Sequence, residues 1–390
     1  MKKISIFIGS RANYATSKSL IVELNNDKRF QLFITASSSA VLDKFGNTAK
    51  KMQVDGLKLE DELYTQVEGD LPIVMSKTIA LGIIDISTQL ERIKPDYLLA
   101  IGDRYETLSS VISASMMNIP VAHIMGGEIT GTVDESVRHA ITKLSHIHFA
   151  ATELAKKRII KMGENPKYVF NVGCPRIDLV KNTLKKIDLE KSSEEELRST
   201  GVGDLIDLKR DFVLFSYHSV TTELNKLKMD IEIILNVLDK IEYDLIMLWP
   251  NSDSGSEIIS RKIRIWLEKS RKKRVRIYKS LTPETYLYLM STTTCLIGNS
   301  SSALREGAYL GTPALNIGTR QLGREHSKNV TDVDYDVEQI MELLALKIQN
   351  GKYPTDYLYG TGNASSQIRE ILFSESPPTQ KKFFDDNQAK

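Results

Sequence analysis

"YLLAIGDRYETLSSVISASMMNIPVAHI", residues 97–124, decides the fold. Tyr97–Ile101 and Val121–Ile124 are short unbroken apolar runs, the pattern of strands covered on both faces. Between them, "YETLSSVISASMMN" reads as a helix. Strand, helix and strand in one short stretch make a βαβ unit, whose two strands run parallel.

The same rhythm extends outward. Ile4–Ile8, Phe30–Thr35 and His148–Ala151 read as further strands, with "SKSLIVELNN" and "IALGIIDISTQLERI" as helices between them. It restarts after Pro175, where "DFVLFSYH", "YDLIMLWPN", "VRIYKS", "TTCLIGNSS" and "PALNIG" are strands, and "SEIISRKIRIWLEKS" and "DVEQIMELLALKI" amphipathic helices. The expected class is α/β, with two doubly wound, Rossmann-like parallel-sheet domains facing each other across an interdomain cleft. The charge-rich stretch from Lys181 to Lys209, with "KSSEEELRST" as a capped helix, joins the halves. The expected division is residues 1–175, residues 176–372 and a loose polar tail, 373–390.

Composition limits the function. The 390 residues are 41% hydrophobic and 26% charged with a net charge of +2, which gives no bulk electrostatic argument for nucleic acid or an anionic membrane. Cys174 and Cys295 are the only cysteines, so a disulfide framework is excluded and a cysteine-based zinc site is disfavoured. The apolar run in "MKKISIFIGSR" is too short for a signal peptide and is better taken as a first strand. No stretch reads as a membrane span, and a cytoplasmic location is expected.

In open parallel sheets ligands bind beyond the carboxyl ends of the strands, so the loops there carry the chemistry. "GSRANY" offers Gly9 for a tight turn and Arg11 for a phosphate or carboxylate. "GDRYE" places Asp103 just past a strand, either as a helix cap or facing a ligand. In "IMGGEITGTVDESVRHA", residues 124–140, Thr132 and Glu135 have capping-box spacing, so a helix is expected from Val133. Asp134 and Arg138 would then share a face, as a surface pair or as part of a site. Gly126 and Gly127 would let the backbone approach a ligand.

The second half supplies His218 in "SYHSVTTE", Asn251 and Asp253 in "WPNSDSGS", and Ser300 and Ser301 in "GNSSSALREG". A helix start at those serines would seat a pyrophosphate. His218 could equally be a packed, hydrogen-bonded histidine, and Glu306 a first-turn helix carboxylate. No Walker loop and no GxGxxG follows a strand, which argues against ATP-dependent phosphoryl transfer and nicotinamide chemistry.

From Met1 to about Leu372 these motifs, with "GCPRID" and "GTPALNIGTRQLGRE", occur in an order that resembles the hydrolysing UDP-N-acetylglucosamine 2-epimerases. The resemblance implies a GT-B-like fold, a nucleotide held mainly by the second domain, a final helix returning to the first, and a homodimer or higher homo-oligomer. It also implies a reaction without metal or cofactor: C2 deprotonation, expulsion of UDP and addition of water to give N-acetylmannosamine. By position, Arg11 resembles the family's diphosphate contact and Asp103 its first catalytic aspartate. Asp134 and Arg138 match the acidic and basic members of the following helix, and His218 the histidine near the diphosphate. Ser300, Ser301 and Glu306 match phosphate and ribose contacts, and Arg320 a cleft arginine; Asn251 joins the substrate contacts.

Two positions depart from the family pattern. Met125 stands where many relatives carry a glutamate proposed to move protons, which leaves Asp103, Asp134 or Glu128 for that task or marks a less polar sugar. Asn13 stands where relatives often have Asp. The preferred substrate is UDP-N-acetylglucosamine, in a route to sialic-acid-type sugars. The alternatives are UDP- or GDP-linked N,N'-diacetylbacillosamine with the same mechanism, and a GT-B glycosyltransferase or non-catalytic binder.

Overall fold

Among the described residues, fourteen strands form two seven-stranded sheets. In chain order the first seven are β1 (Lys2–Ile8), β2 (Phe30–Ser37), β3 (Leu59–Leu63), β4 (Tyr97–Ile101), β5 (Val121–Ile124), β6 (Ile147–Ala150) and β7 (Val169–Asn171). The others are β8 (Val202–Gly203), β9 (Phe212–Ser216), β10 (Asp244–Leu248), β11 (Val275–Tyr278), β12 (Cys295–Gly298), β13 (Ala314–Ile317) and β14 (Val330–Val333). The computed structural model describes residues 1–69, 71–270 and 274–385.

Two units result. The first comprises Met1–Glu128, Val133–Leu179 and the chain from Tyr359 onward; the second comprises Ile129–Thr132 and Val180–Leu358. Sheet order in the first is β3-β2-β1-β4-β5-β6-β7, with every pairing parallel. In the second it is β14-β13-β12-β9-β10-β11-β8, parallel except for β8 on β11. Each chain winds outward in one direction, returns to the middle and winds outward in the other. The reversal falls between β1 and β4 in one unit and between β9 and β12 in the other, and the loops past those strands flank the crevice.

Burial follows from this winding. Along β9, Val213 and Phe215 join one apolar layer with Ile231 and Ile234, while Phe212 and Leu214 join the opposite layer with Leu289 and Met290. A strand covered on both faces has no polar side to show, which is why the central strands read as unbroken apolar runs. In the first unit Leu98, Ala100 and Val121 pack with Val111 and Ile141. Helix Ala364–Ser374 packs on helix Arg11–Asn25 in the same unit. Its first backbone N–H groups, at Ala364 and Ser365, donate to the Asp178 carboxylate at 3.0 and 2.6 Å, which gives the Asp of "GCPRID" a capping task.

Two expectations change. The tail is not loose through residue 384: Lys381 Nζ donates to the buried Glu164 carboxylate at 2.6 Å, and the Phe384 N–H donates to the Gly163 carbonyl at 2.9 Å. A buried acid with room for a second cation is what draws a polar segment down; residues 386–390 lie outside the described residues. Secondly, among the described residues helix Pro72–Ile93 alone is long and apolar enough to cross a membrane. It packs lengthwise on helix Tyr105–Met116, and its Gln89 pairs with Thr35 of β2 at 2.9 Å.

Candidate active site

In the first unit the crevice loops are tied together by side chains. Ser10 caps helix Arg11–Asn25 by accepting from the Asn13 N–H at 3.3 Å. Arg11 opens the helix and is partly exposed. The Asn13 amide donates to the Ile101 carbonyl at 3.0 Å, joined there by the Thr107 hydroxyl at 3.2 Å. An aspartate at 13 could not make that bond, so the departure from the family pattern has a structural reason here.

Asp103 follows two residues later. The residue preceding the helix is Arg104, whose own side chain does not cap it, and the Asp103 carboxylate receives Arg138 Nη2. Arg138 is 1% exposed and Asp103 24%. The other guanidinium nitrogen, Nη1, donates to the Glu128 carbonyl at 2.8 Å and reaches Glu135 at 3.4 Å. Burial alone would lower the Arg138 pKa, but the charges of Asp103, Glu128 and Asp134 outweigh it and the pKa is raised. The result is a fixed cation under a partly exposed carboxylate, with the 2%-exposed Glu128 beside it.

In the neighbouring stretch, helix Asp134–Leu144 follows Val133, one residue later than the spacing implied, and the Glu135 carboxylate meets His139 Nε2 at 3.0 Å. The inward-running Arg138 side chain pairs with Asp103 and Glu135, and the Asp134 charge acts on it as well. The two glycines also meet protein closely. A Cβ at Gly126 would stand 2.8 Å from His123 Nδ1, and one at Gly127 would collide with the Ala155 carbonyl. Met125, at φ +66, is 6% exposed and turns its sulfur to Cys174 Sγ at 3.5 Å.

The second unit repeats the device across β9 and β12. Asn299 bridges them: its Oδ1 accepts from the His218 N–H and its Nδ2 donates to the His218 carbonyl, both at 2.8 Å. The strand ends lie so close that any Cβ at Gly298 would collide with the Ser216 carbonyl. His218 Nδ1 accepts from the Asn251 N–H at 3.2 Å, which assigns the ring proton to Nε2. Asn251 also hydrogen-bonds Asp253 at 2.5 Å, and Asp253 stands 3.7 Å from Arg320. Arg320 and Gln321 both donate to the Asn299 carbonyl, at 3.3 and 2.9 Å.

The serine loop is not a helix start. Turns occupy residues 301–305, and the helix, Glu306–Leu310, is a single short one. The backbone N–H groups of Ala303, Leu304 and Arg305 are bonded back to Ser300 and Ser301 carbonyls at 3.2 Å. Ser300 Oγ shares a chain with Ser302 (2.8 Å) and Tyr286 (2.6 Å), and Glu306 is buried. Side-chain donors for an anion here are the hydroxyls, the His218 ring and the Arg320 guanidinium. Asn299, Gln321 and His123 were not singled out from the sequence. Asn299 had a usable signal, since it directly follows a central strand.

The two doubly wound units, each with charged and amide side chains past its middle strands, give a GT-B-like α/β fold. Residues 22–373 match the sequence profile of the UDP-N-acetylglucosamine 2-epimerases, and the chain belongs to that family. It is a nucleotide-sugar 2-epimerase. It is 33% identical over 351 residues to the GDP/UDP-N,N'-diacetylbacillosamine 2-epimerase (hydrolyzing) of Campylobacter jejuni, covering 89% of this chain and 88% of that protein. It is 32% identical to the UDP-N,N'-diacetylbacillosamine 2-epimerase (hydrolyzing) of Legionella pneumophila, covering 95% and 96%. To the UDP-N-acetylglucosamine 2-epimerase of Neisseria meningitidis it is 28% identical, over 99% and 100%. A crystal structure of a Neisseria meningitidis UDP-GlcNAc 2-epimerase bound to UDP-GlcNAc shares the fold, with a TM-score of 0.78 at 20% identity over 96% of this chain and 100% of that one.

Proposed function

We propose that the chain is a hydrolysing 2-epimerase acting on a UDP-linked 2-acetamido sugar. The carrying observation is the buried Arg138 guanidinium holding the Asp103 carboxylate at the mouth of the first unit's crevice. In this reading Asp103 takes the C2 proton, the C2–H electrons form the C1=C2 bond, and the C1–O bond breaks with its pair leaving on UDP. Water then returns a hydroxyl to C1 and a proton to the opposite face of C2, with Glu128 and Asp134 as further carboxyls whose charge acts on Arg138. Arg11, His218 Nε2–H, Ser300, Ser301 and Arg320 receive the diphosphate whose charge grows as the bond breaks. Glu306 accepts from the ribose hydroxyls and Asn251 fixes the His218 tautomer.

For the sugar, we favour N,N'-diacetylbacillosamine. Met125 sits on Cys174 as an apolar floor where many relatives place a carboxylate, and two of the relatives most like this chain are named for that sugar. UDP-N-acetylglucosamine is the second reading, supported by the Neisseria relative. Each UDP-sugar offered separately in deuterated water, with NMR detection of free sugar deuterated at C2, tests both. Product from the diacetylated sugar alone supports the first reading, product from UDP-N-acetylglucosamine alone reverses the preference, and no UDP release from either defeats the hydrolysing reading.

A further inference from the structure

His123 lies on β5, fully buried, and belongs to none of the roles above. Its Nε2 is 2.9 Å from the Gly102 carbonyl, the peptide that leads into Asp103. A carbonyl can only accept, so Nε2 carries the proton and Nδ1 is left as an acceptor. Thr142 Oγ1, 3.2 Å from Nδ1, therefore donates. Thr142 sits one helical turn beyond Arg138 on helix Asp134–Leu144. Burial pushes the imidazole pKa down to about 3, against the pull of the Gly102 carbonyl, so the ring is neutral and its two hydrogen bonds are fixed in direction. Gly126 leaves room for this contact, since a Cβ there would stand 2.8 Å from His123 Nδ1 and 2.9 Å from Thr142 Oγ1.

We infer that His123 is a positioning residue, which joins the peptide ahead of Asp103 to the helix that carries Arg138 and so sets the geometry of that ion pair. The inference rests on the reading of Asp103 as the proton acceptor. A carboxylate displaced by about 1 Å can lose on the order of a hundredfold in rate while substrate binding is unchanged.

Gln and Asn separate the two halves of the imidazole. In His123→Gln the terminal amide reaches the Nε2 position and keeps the donor to Gly102. In His123→Asn the shorter amide keeps an acceptor for Thr142 but loses that donor. Steady-state release of UDP from the UDP-sugar, with thermal melting and UDP titration on the same samples, is the measurement. The expected result is a kcat lower by about ten- to a hundredfold in His123→Asn, with KM and UDP affinity within about twofold, and most of the turnover recovered in His123→Gln although both variants melt earlier. Equal kcat losses in the two, tracking the melting temperatures, would overturn the inference. Should His123→Asn not fold, His123→Met takes its place: it fills the volume of the imidazole without the donor to Gly102, and a kcat equal to that of His123→Gln overturns the inference equally. Asp103→Asn run alongside distinguishes the underlying reading: wild-type turnover in that variant removes Asp103 from the chemistry, whatever the His123 series gives.

Discussion

Arg138 donates to the Asp103 carboxylate through one terminal nitrogen and to the Glu128 carbonyl through the other. One guanidinium therefore fastens the loop after β4 to the loop after β5, and the charge at the site cannot be separated from the shape of the site. Asp103→Asn keeps an acceptor for Arg138 but removes the proton acceptor. It is expected to lose about 100- to 10,000-fold in UDP release with UDP affinity retained. Calorimetric UDP titration beside a coupled UDP-release assay reads both numbers; turnover at the wild-type rate excludes the assigned role.

Arg138→Met removes the cation and leaves Glu128 buried without it. Breaking such a cluster from one side costs about 3–5 kcal/mol, more than replacing all its charges together. The urea midpoint should fall accordingly. A loss under about 1 kcal/mol would mean that Glu128 takes up its proton at little cost.

The nucleotide side should respond differently. Ser301→Ala, His218→Ala and Arg320→Ala each delete a donor to an anion, worth about 1.5–3 kcal/mol or roughly ten- to a hundredfold in UDP affinity. Arg11→Ala belongs to the same set. Unchanged UDP affinity across all four would move the diphosphate elsewhere on the chain.

Acid should unfold the first unit in stages. Burial lowers the pKa of His123 to about 3 and also lowers that of His148. Each is neutral when folded and takes a proton near pH 6.5 when unfolded, so stability is complete above pH 6.5 and is lost as pH falls toward the folded value. The slope is roughly 1.4 kcal/mol per pH unit for each group. Glu164 adds to this at lower pH. Burial raises its pKa, but His148, Lys143 and Lys381 outweigh that and hold it at about 2, so its contribution is lost between pH 4.5 and 2. His123→Gln should flatten the urea-midpoint profile below pH 6.5 by one proton, and an identical slope would show that another group sets it.

Removing Pro378 onward takes Lys381 from Glu164, Thr379 from His146 and Phe384 from Gly163. A charge-assisted bond to a buried carboxylate is worth about 1.5–3 kcal/mol. The truncated chain should melt earlier yet release UDP at the full rate, since none of these contacts reaches the crevice loops. A fall in kcat at a temperature where it is fully folded would contradict that.

What the sequence could show depended on where a strand lay. The ten inner strands are apolar runs and were found at or within a few residues of their ends. The four missed, β3, β7, β8 and β14, are the four edges. "LEDEL" and "VTDV" carry polar side chains because one side of an edge strand meets solvent, and β8 is two residues long. The site divided in the same way. Asp103 and His218 were visible because each lies two residues past the end of a central strand. The Asp103–Arg138 pairing, the Asn299 bridge and the task of His123 were not, because each joins residues that only the sheet order brings together.

The space beneath Gly126 has an evolutionary corollary. Imidazole, hydroxyl and missing side chain at positions 123, 142 and 126 share one volume, so a change at any one of them is felt at the other two. Across descendants of this chain the three positions should be inherited as a block. A lineage that gains a side chain at 126 should already have exchanged the histidine or the threonine, and would then need another way to hold the peptide ahead of its aspartate.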